Sequence, residues 1–247
     1  MIELKSFTKK YGKNTAVNDV SFVCSDKMVT GLIGENGAGK TTILKAICGL
    51  HYPTEGSVYV NGISVEENHV EIQRNIGYVS ENAVFPENYY VLEFLNECAD
   101  IREKSGAAVL EGKKAKSKQL SKVIEMFALE NVLNKKISAL SKGYRQRLSF
   151  AQAFVHDPSV LVLDEPISGL DPLQTAEIRN IIRETGKTKT ILLSTHFMPE
   201  AETTCDKIIF LHNGEKIADG TSDEICSHAG TNSLEEAFIK LTSTKKL

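Results

Sequence analysis

The chain has 247 residues, of which 41% are hydrophobic and 25% charged. That suits one large domain with an ample apolar core, and it excludes a disordered or fibrous chain. A net charge of −3 supplies no basic field, so no nucleic acid partner is expected.

The longest apolar runs, such as Val160–Leu163 and Ile191–Leu193, fall far short of the ~20 residues that cross a bilayer. Work at a membrane therefore needs another chain to cross it. The alternation in Met1-Ile2-Glu3-Leu4-Lys5-Ser6 reads as a first strand, not a signal segment. Cys24, Cys48, Cys98, Cys205 and Cys226 are scattered and form no Cys-x-x-Cys pair. Neither a disulfide framework nor a zinc site is expected, and a reducing cytosol is the natural compartment.

Asn61-Gly62 and Asn213-Gly214 follow β-rich runs and predict tight hairpin turns. Val29–Ile33 predicts a strand that runs into a glycine-rich loop, and Ile43, Ile47 and Leu50 then fall at helical spacing. From about Pro86 to Leu140 the character turns helical. Leu92, Leu95 and Ala99 mark one helix; Val123, Met126 and Phe127 mark another. The lysine run Lys113, Lys114, Lys116, Lys118 and Lys122 reads as a solvated face. Val160–Leu163 and Thr190–Ser194 then predict strands buried on both faces of a parallel sheet. Between them Asp171-Pro172 predicts a helix start, with Asp as cap and Pro at the first position. The expected organisation is an α/β core from 1–85 and 157–247 interrupted by a helical subdomain at 86–156.

Gly34-Glu35-Asn36-Gly37-Ala38-Gly39-Lys40-Thr41-Thr42 fits Gly-x4-Gly-Lys-[Ser/Thr] between a strand and a helix. Glycines let the backbone N–H groups turn inward on phosphate, and the helix start adds partial positive charge. Lys40 then neutralises the β- and γ-phosphates, and the Thr41 hydroxyl is a ligand for Mg²⁺. Asp164 and Glu165 end the apolar strand at Leu163, where ligands of α/β sheets sit. Asp164 is placed to hold Mg²⁺, through water or directly, and Glu165 to polarise an attacking water. In Leu140-Ser141-Lys142-Gly143-Tyr144-Arg145-Gln146-Arg147, a Ser beside a Gly caps a helix and offers a second anion site. One chain already has its phosphate loop, so the second site suggests a second subunit.

Together these residues resemble the ATP-binding subunits of ABC transporters. In that family a helix start like Leu140–Arg147 is the signature motif. Ser168-Gly169-Leu170-Asp171 resembles the D-loop and Ser194-Thr195-His196 the switch histidine. Tyr11 in Lys10-Tyr11-Gly12 matches the aromatic that stacks on adenine, and Ile76–Glu81 stands where the Q-loop belongs. The stretch from Thr195 to Glu202 and the tail Ser233–Phe238 look like the subfamily serving exporters of drugs, bacteriocins, lipids or polysaccharides. Two departures stand out. The signature carries Lys142 and Tyr144 where the family has Gly and Gln, and Glu81 replaces the Q-loop Gln as a candidate metal ligand.

The resemblance implies a P-loop NTPase core with an antiparallel β subdomain and an inserted helical subdomain. It implies ATP and Mg²⁺ as cofactors. Two copies, or this chain and a paralogue, would pack head to tail with each ATP between Lys40 of one and Ser141 and Gly143 of the other. The chain would lie in the cytoplasm against the inner face of the cell membrane, driving transmembrane permease subunits. A soluble non-transport ATPase of an iron–sulfur assembly complex is the alternative.

Overall fold

The computed structural model describes residues 1–244; residues 245–247, the end of the expected core segment 157–247, lie outside the described residues. The chain opens with β1 (Ile2–Tyr11), β2 (Asn14–Cys24) and β3 (Val29–Ile33), then α1 (Lys40–Ile47). A hairpin of β4 (Glu55–Val60) and β5 (Ile63–Ser64) and the short α2 (His69–Asn75) lead to β6 (Ile76–Val79). Three helices follow: α3 (Val91–Lys104), α4 (Lys113–Met126) and α5 (Lys142–Phe154). The chain then returns to alternation through β7 (Val160–Asp164), α6 (Pro172–Gly186), β8 (Thr190–Thr195) and α7 (Met198–Thr204). It ends with β9 (Lys207–His212), β10 (Glu215–Gly220), α8 (Ser222–Ala229) and α9 (Leu234–Thr244).

Two sheets result. An antiparallel sheet has the order β2-β1-β4-β5, and a larger one has the order β10-β9-β3-β8-β7-β6. In the larger sheet β9, β3, β8, β7 and β6 run parallel, while β10 is antiparallel at the edge. The hairpin turns carry positive φ at both positions, 51° and 80° at Asn61-Gly62 and 49° and 78° at Asn213-Gly214. That is the twist-matched turn these dipeptides favour.

Every residue of β3, β7 and β8 is buried, as strands covered on both faces require. Their side chains divide by the period of two. Val160 and Val162 join Leu32, Ile43 and Phe22 under α1 and the antiparallel sheet. Leu161 and Leu163 face the other way, onto Leu148, Phe150 and Ile178 of the helical side. Each such fully buried aliphatic contributes about 1.5–3 kcal/mol of transfer free energy, so the central strands carry much of the core's hydrophobic stabilisation.

The capping signals act as read. Asp171 accepts the Gln174 N–H at 2.9 Å with Pro172 behind it. The lysine run forms the outer face of α4, which buries Leu120 and Val123; Lys116 pairs with Asp100 and Glu103 of α3. Leu50 departs from the expected helical stripe. α1 stops at Ile47, Gly49 turns the chain at φ 66°, and Leu50 is 56% exposed. The left-handed glycine ends the helix before the third apolar position is reached.

Candidate nucleotide site

The parallel strands deliver four loops to one end of the sheet. Gly34–Gly39 follows β3, Ser80-Glu81 follows β6, Glu165 follows β7, and His196 follows β8. They enclose a cleft of about 440 Å³ lined by Ala16, Glu35, Asn36, Gly37, Gly39, Lys40, Thr41, Thr42, Glu81, Glu165 and His196. This is the position outside the carboxyl ends of strands where α/β sheets hold ligands.

The loop is a cradle that side chains would fill. Gly39 caps α1 with φ 102°, and a Cβ there would meet Ala16 O and Val17 at 2.8 Å. A Cβ on Gly34 would run into Leu211 O. Lys40 is buried, and its Nζ donates to Gly34 O at 2.7 Å and to Glu35 O at 3.2 Å. The ammonium is thus held inside the curl at the start of α1, where a phosphate would meet both its charge and the helix N–H groups.

Glu165 forms the opposite wall. Its Oε1 lies 3.5 Å from Lys40 Nζ and its Oε2 lies 3.0 Å from His196 Nδ1. The Glu165 side chain is only 10% exposed, whereas His196 is 52% exposed, so the imidazole is the accessible partner. Asp164 sits behind this wall, 2% exposed, with its Oδ1 accepting the Ser194 hydroxyl at 2.6 Å. Glu200 of α7 is buried beneath the same loop. Burial pushes its carboxyl up to about 7, the Thr195 hydroxyl opposes that, and Glu165 adds to it.

The oxygen donors suit Mg²⁺. Thr41 and Glu81 line the cleft and Asp164 backs it, all hard oxygen groups of the kind that bind this ion beside substrate phosphates. Among the described residues no group of three His, Cys, Asp or Glu side chains forms a metal cage by itself. A metal brought in with its phosphates fits that donor set.

Other expected site residues lie elsewhere. Ala38 faces the apolar cluster under the antiparallel sheet. Tyr11, at the end of β1 and 50% exposed, does not line the cleft; Lys9 Nζ stands 5.3 Å from its ring and His51 meets its edge. Ser141 and Gly143 start α5, also outside the cleft. Ser141 is exposed and accepts the Tyr144 N–H at 3.5 Å. Gly143 packs under Gln174, and Lys142 lies against Gly169, so this helix start is knit to the segment that opens α6.

Comparison with known proteins agrees with the geometry. Residues 17–168 match the family model described as ABC transporter. The chain belongs to the ABC transporter ATP-binding family. Members of this family bind and hydrolyse ATP. One relative, the probable multidrug ABC transporter ATP-binding protein YbhF of Escherichia coli (strain K12), is 35% identical over 98% of this chain. This chain spans 41% of that protein's length. A solved ATP-binding subunit of an ABC transporter shares 33% identity with a TM-score of 0.88, covering 98% of this chain and 99% of that one. The dimeric bacterial ABC transporter cassette MJ0796 shares 26% identity with a TM-score of 0.80, covering 90% of this chain and 98% of that one. Among the described residues of this ABC domain, no helix is long and apolar enough to cross a membrane.

Sequence reasoning missed Ala16, Glu35, Ser194 as a bridging group, and Glu200. Ala16 and Glu35 reach the cleft through the β1–β2 hairpin and the loop itself, and no residue-type signal marks them. Ser194 is visible only through its register opposite Asp164.

Proposed function

We propose that this chain is the ATP-hydrolysing subunit of a membrane exporter, and that it works as a head-to-tail pair. The observation that carries the reading is the Glu165 carboxylate, held between Lys40 Nζ and His196 Nδ1 at the wall of the phosphate cradle. In this reading Asn36, Gly37, Gly39 and Thr42 offer N–H groups to the phosphates, and Lys40 supplies charge. The Ala38 N–H, which donates to Glu35 O at 3.1 Å, joins them once a phosphate replaces that acceptor. An arriving phosphate replaces the Gly34 and Glu35 carbonyls as the acceptor for the Lys40 ammonium. Glu165 takes the proton of the attacking water at its carboxylate, and His196 fixes the orientation of that carboxylate. Thr41, Glu81 and Asp164 would hold Mg²⁺, which when bound would neutralise charge on the phosphates. Tyr11 stacks on the adenine.

Ser141 and Gly143 serve the nucleotide of the partner copy. Their absence from their own chain's cleft, and the exposure of Ser141, support that assignment. The solved dimer of a 26% identical cassette supports the pairing. The residue division of 1–85 and 157–247 as core with 86–156 as helical subdomain belongs to the same proposal.

The chain works in the cytoplasm on the inner face of the cell membrane, with separate permease subunits. The surface it offers them is a groove of about 520 Å³ that contains Leu50, Val70 and Ile101, each at least half exposed, beside Arg74 and Arg102. The likeness to YbhF, a probable multidrug ABC transporter ATP-binding protein, and the exporter-like tail favour transport over assembly of iron–sulfur clusters.

The test is complementation between two inactive variants. Lys40→Ala removes a charge-assisted contact worth about 1.5–3 kcal/mol, so it should lose roughly ten- to hundredfold in nucleotide affinity. Ser141→Arg should bind nucleotide normally but not hydrolyse it. Mixed, the two leave one composite site with both residues intact in each mixed pair. Half the pairs are mixed and half their sites are intact, so about a quarter of wild-type activity should return. No recovery, together with lost nucleotide binding in Ser141→Arg alone, would refute the two-chain site.

A further inference from the structure

β8 ends at Ser194-Thr195, and the chemistry above uses only the next residue, His196. Yet Ser194 makes the contacts that join the two acidic groups. It is fully buried and lies in register with Asp164 of the neighbouring strand. Its hydroxyl donates to Asp164 Oδ1 at 2.6 Å and accepts the backbone N–H of Glu165 at 3.0 Å. A carboxylate can only accept and an N–H can only donate, so the group between them must do both. Among side chains small enough for a strand end buried on both faces, a hydroxyl does this.

The second observation is the Glu165 backbone. It has φ 48°, a left-handed conformation that a residue with a Cβ rarely adopts. Such a residue stays there only when its surroundings hold it. Here its side chain is tied to Lys40 and His196, its C=O accepts the Ser168 N–H at 3.2 Å, and its N–H goes to Ser194. The chain turns sharply at the end of β7, and that turn aims the carboxylate into the cleft.

We infer that Ser194 is a positioning residue for hydrolysis: its hydroxyl locks the Glu165 N–H and the Asp164 carboxylate together and so fixes where the Glu165 carboxylate points. The inference rests on the reading of Glu165 as the base. Ser194 is fully buried and does not line the cleft. Its loss should therefore change the rate of the chemical step and leave nucleotide binding alone.

The experiment compares Ser194→Ala, Ser194→Thr and Ser194→Cys in the full chain, with and without Glu165→Gln. The readouts are steady-state ATP turnover, affinity for a fluorescent ATP analogue with Mg²⁺, and thermal unfolding. Ser194→Ala should lower kcat by about ten- to hundredfold, the scale of letting a catalytic group shift by up to about an ångström. KM and analogue affinity should stay within about threefold. Ser194→Thr keeps the hydroxyl and should recover most of the rate; Ser194→Cys, a weaker donor and acceptor, should fall between. In the Glu165→Gln background, Ser194→Ala should lower the single-turnover rate less than about threefold, because residues acting as one unit are not additive.

Three results overturn the inference. One is wild-type turnover in Ser194→Ala while Glu165→Gln is inactive. Another is full multiplication of the two losses. The third is a fall in analogue affinity as large as the fall in kcat, the mark of a merely structural residue. If Ser194→Ala does not fold, equal turnover of the Thr and Cys variants overturns it instead. Wild-type turnover in Glu165→Gln removes the base reading itself, and that outcome is distinct from the other three.

Discussion

Replacing Glu200 by Gln should remove a pH-dependent part of this chain's stability. Glu200 is 4% exposed; its Oε2 accepts the Thr195 hydroxyl at 3.1 Å, and its Oε1 has no hydrogen-bond partner among the described residues. Burial drives its carboxyl from an ordinary 4.5 to about 7, with Glu165 adding to the rise and Thr195, Arg179 and His196 opposing it. Between those values the native chain keeps a proton that the unfolded chain has released, so stability falls as pH rises. The contribution is fully present below pH 4.5 and lost once pH passes about 7. That interval, at about 1.36 kcal/mol per pH unit, sets an upper bound of ~3 kcal/mol. For a chain of this size it corresponds to roughly 6–12 °C in Tm. His156 acts in the opposite sense. Burial lowers its imidazole from 6.5 to about 4, so the stability it contributes is present above pH 6.5 and lost as pH falls toward 4. Both proteins carry His156, and its effect cancels in their difference. The assay is thermal unfolding of wild type and Glu200→Gln from pH 4.5 to 8. Relative to wild type, the variant should gain up to ~3 kcal/mol between pH 5 and pH 8. Parallel curves across that range would refute the buried-acid argument.

Glu165→Gln should bind ATP with Mg²⁺ but hydrolyse it at least ~100-fold more slowly, since an amide cannot take a proton. It should also elute with ATP as a dimer, and a monomer with wild-type turnover would sink both the base and the pairing. Glu81→Gln should keep ATP binding but need more Mg²⁺ for half-maximal activity. A titration that overlays the wild type removes Glu81 from the metal site.

The fold was legible where burial is two-sided or a turn demands a special backbone. Val160–Leu163 and Thr190–Ser194 read as buried strands because an unbroken apolar run has no other stable placement of that length. Asn61-Gly62 and Asn213-Gly214 read as hairpins because both positions need positive φ. Elements with little apolar burial were not legible. α2 buries only Ile72, so it offers no stripe, and the edge strand β10, every residue of which is partly or wholly exposed, was marked only by the Asn213-Gly214 turn before it. The sheet order β10-β9-β3-β8-β7-β6 is a product of long-range packing that no local pattern encodes.

The site was legible in its parts, because glycine spacing and strand-end acids each carry a local signal. Its assembly was not, because that depends on which strands are neighbours. Parallel pairing of β3 with β8, β8 with β7 and β7 with β6 is what sets Lys40, His196, Glu165 and Glu81 around one cleft. The same pairing creates an electrostatic condition that residue types alone do not reveal. The cleft is lined by three carboxylates, Glu35, Glu81 and Glu165, against the single ammonium of Lys40, with Asp164 buried behind. Lys40 and Glu165 are nearly buried while Glu35 and Glu81 are exposed, so a bare triphosphate would meet net repulsion beyond the reach of Lys40 and the loop N–H groups, softened by solvent at the two exposed carboxylates. On the proposed reading, a nucleotide arriving with a divalent cation would reverse that balance, because Glu81 and Asp164 would then face the ion's positive charge instead of bare phosphate. On that reading, the extra carboxylate at position 81, where the resemblance implies a neutral amide, should strengthen the demand for the metal and weaken binding of the metal-free nucleotide.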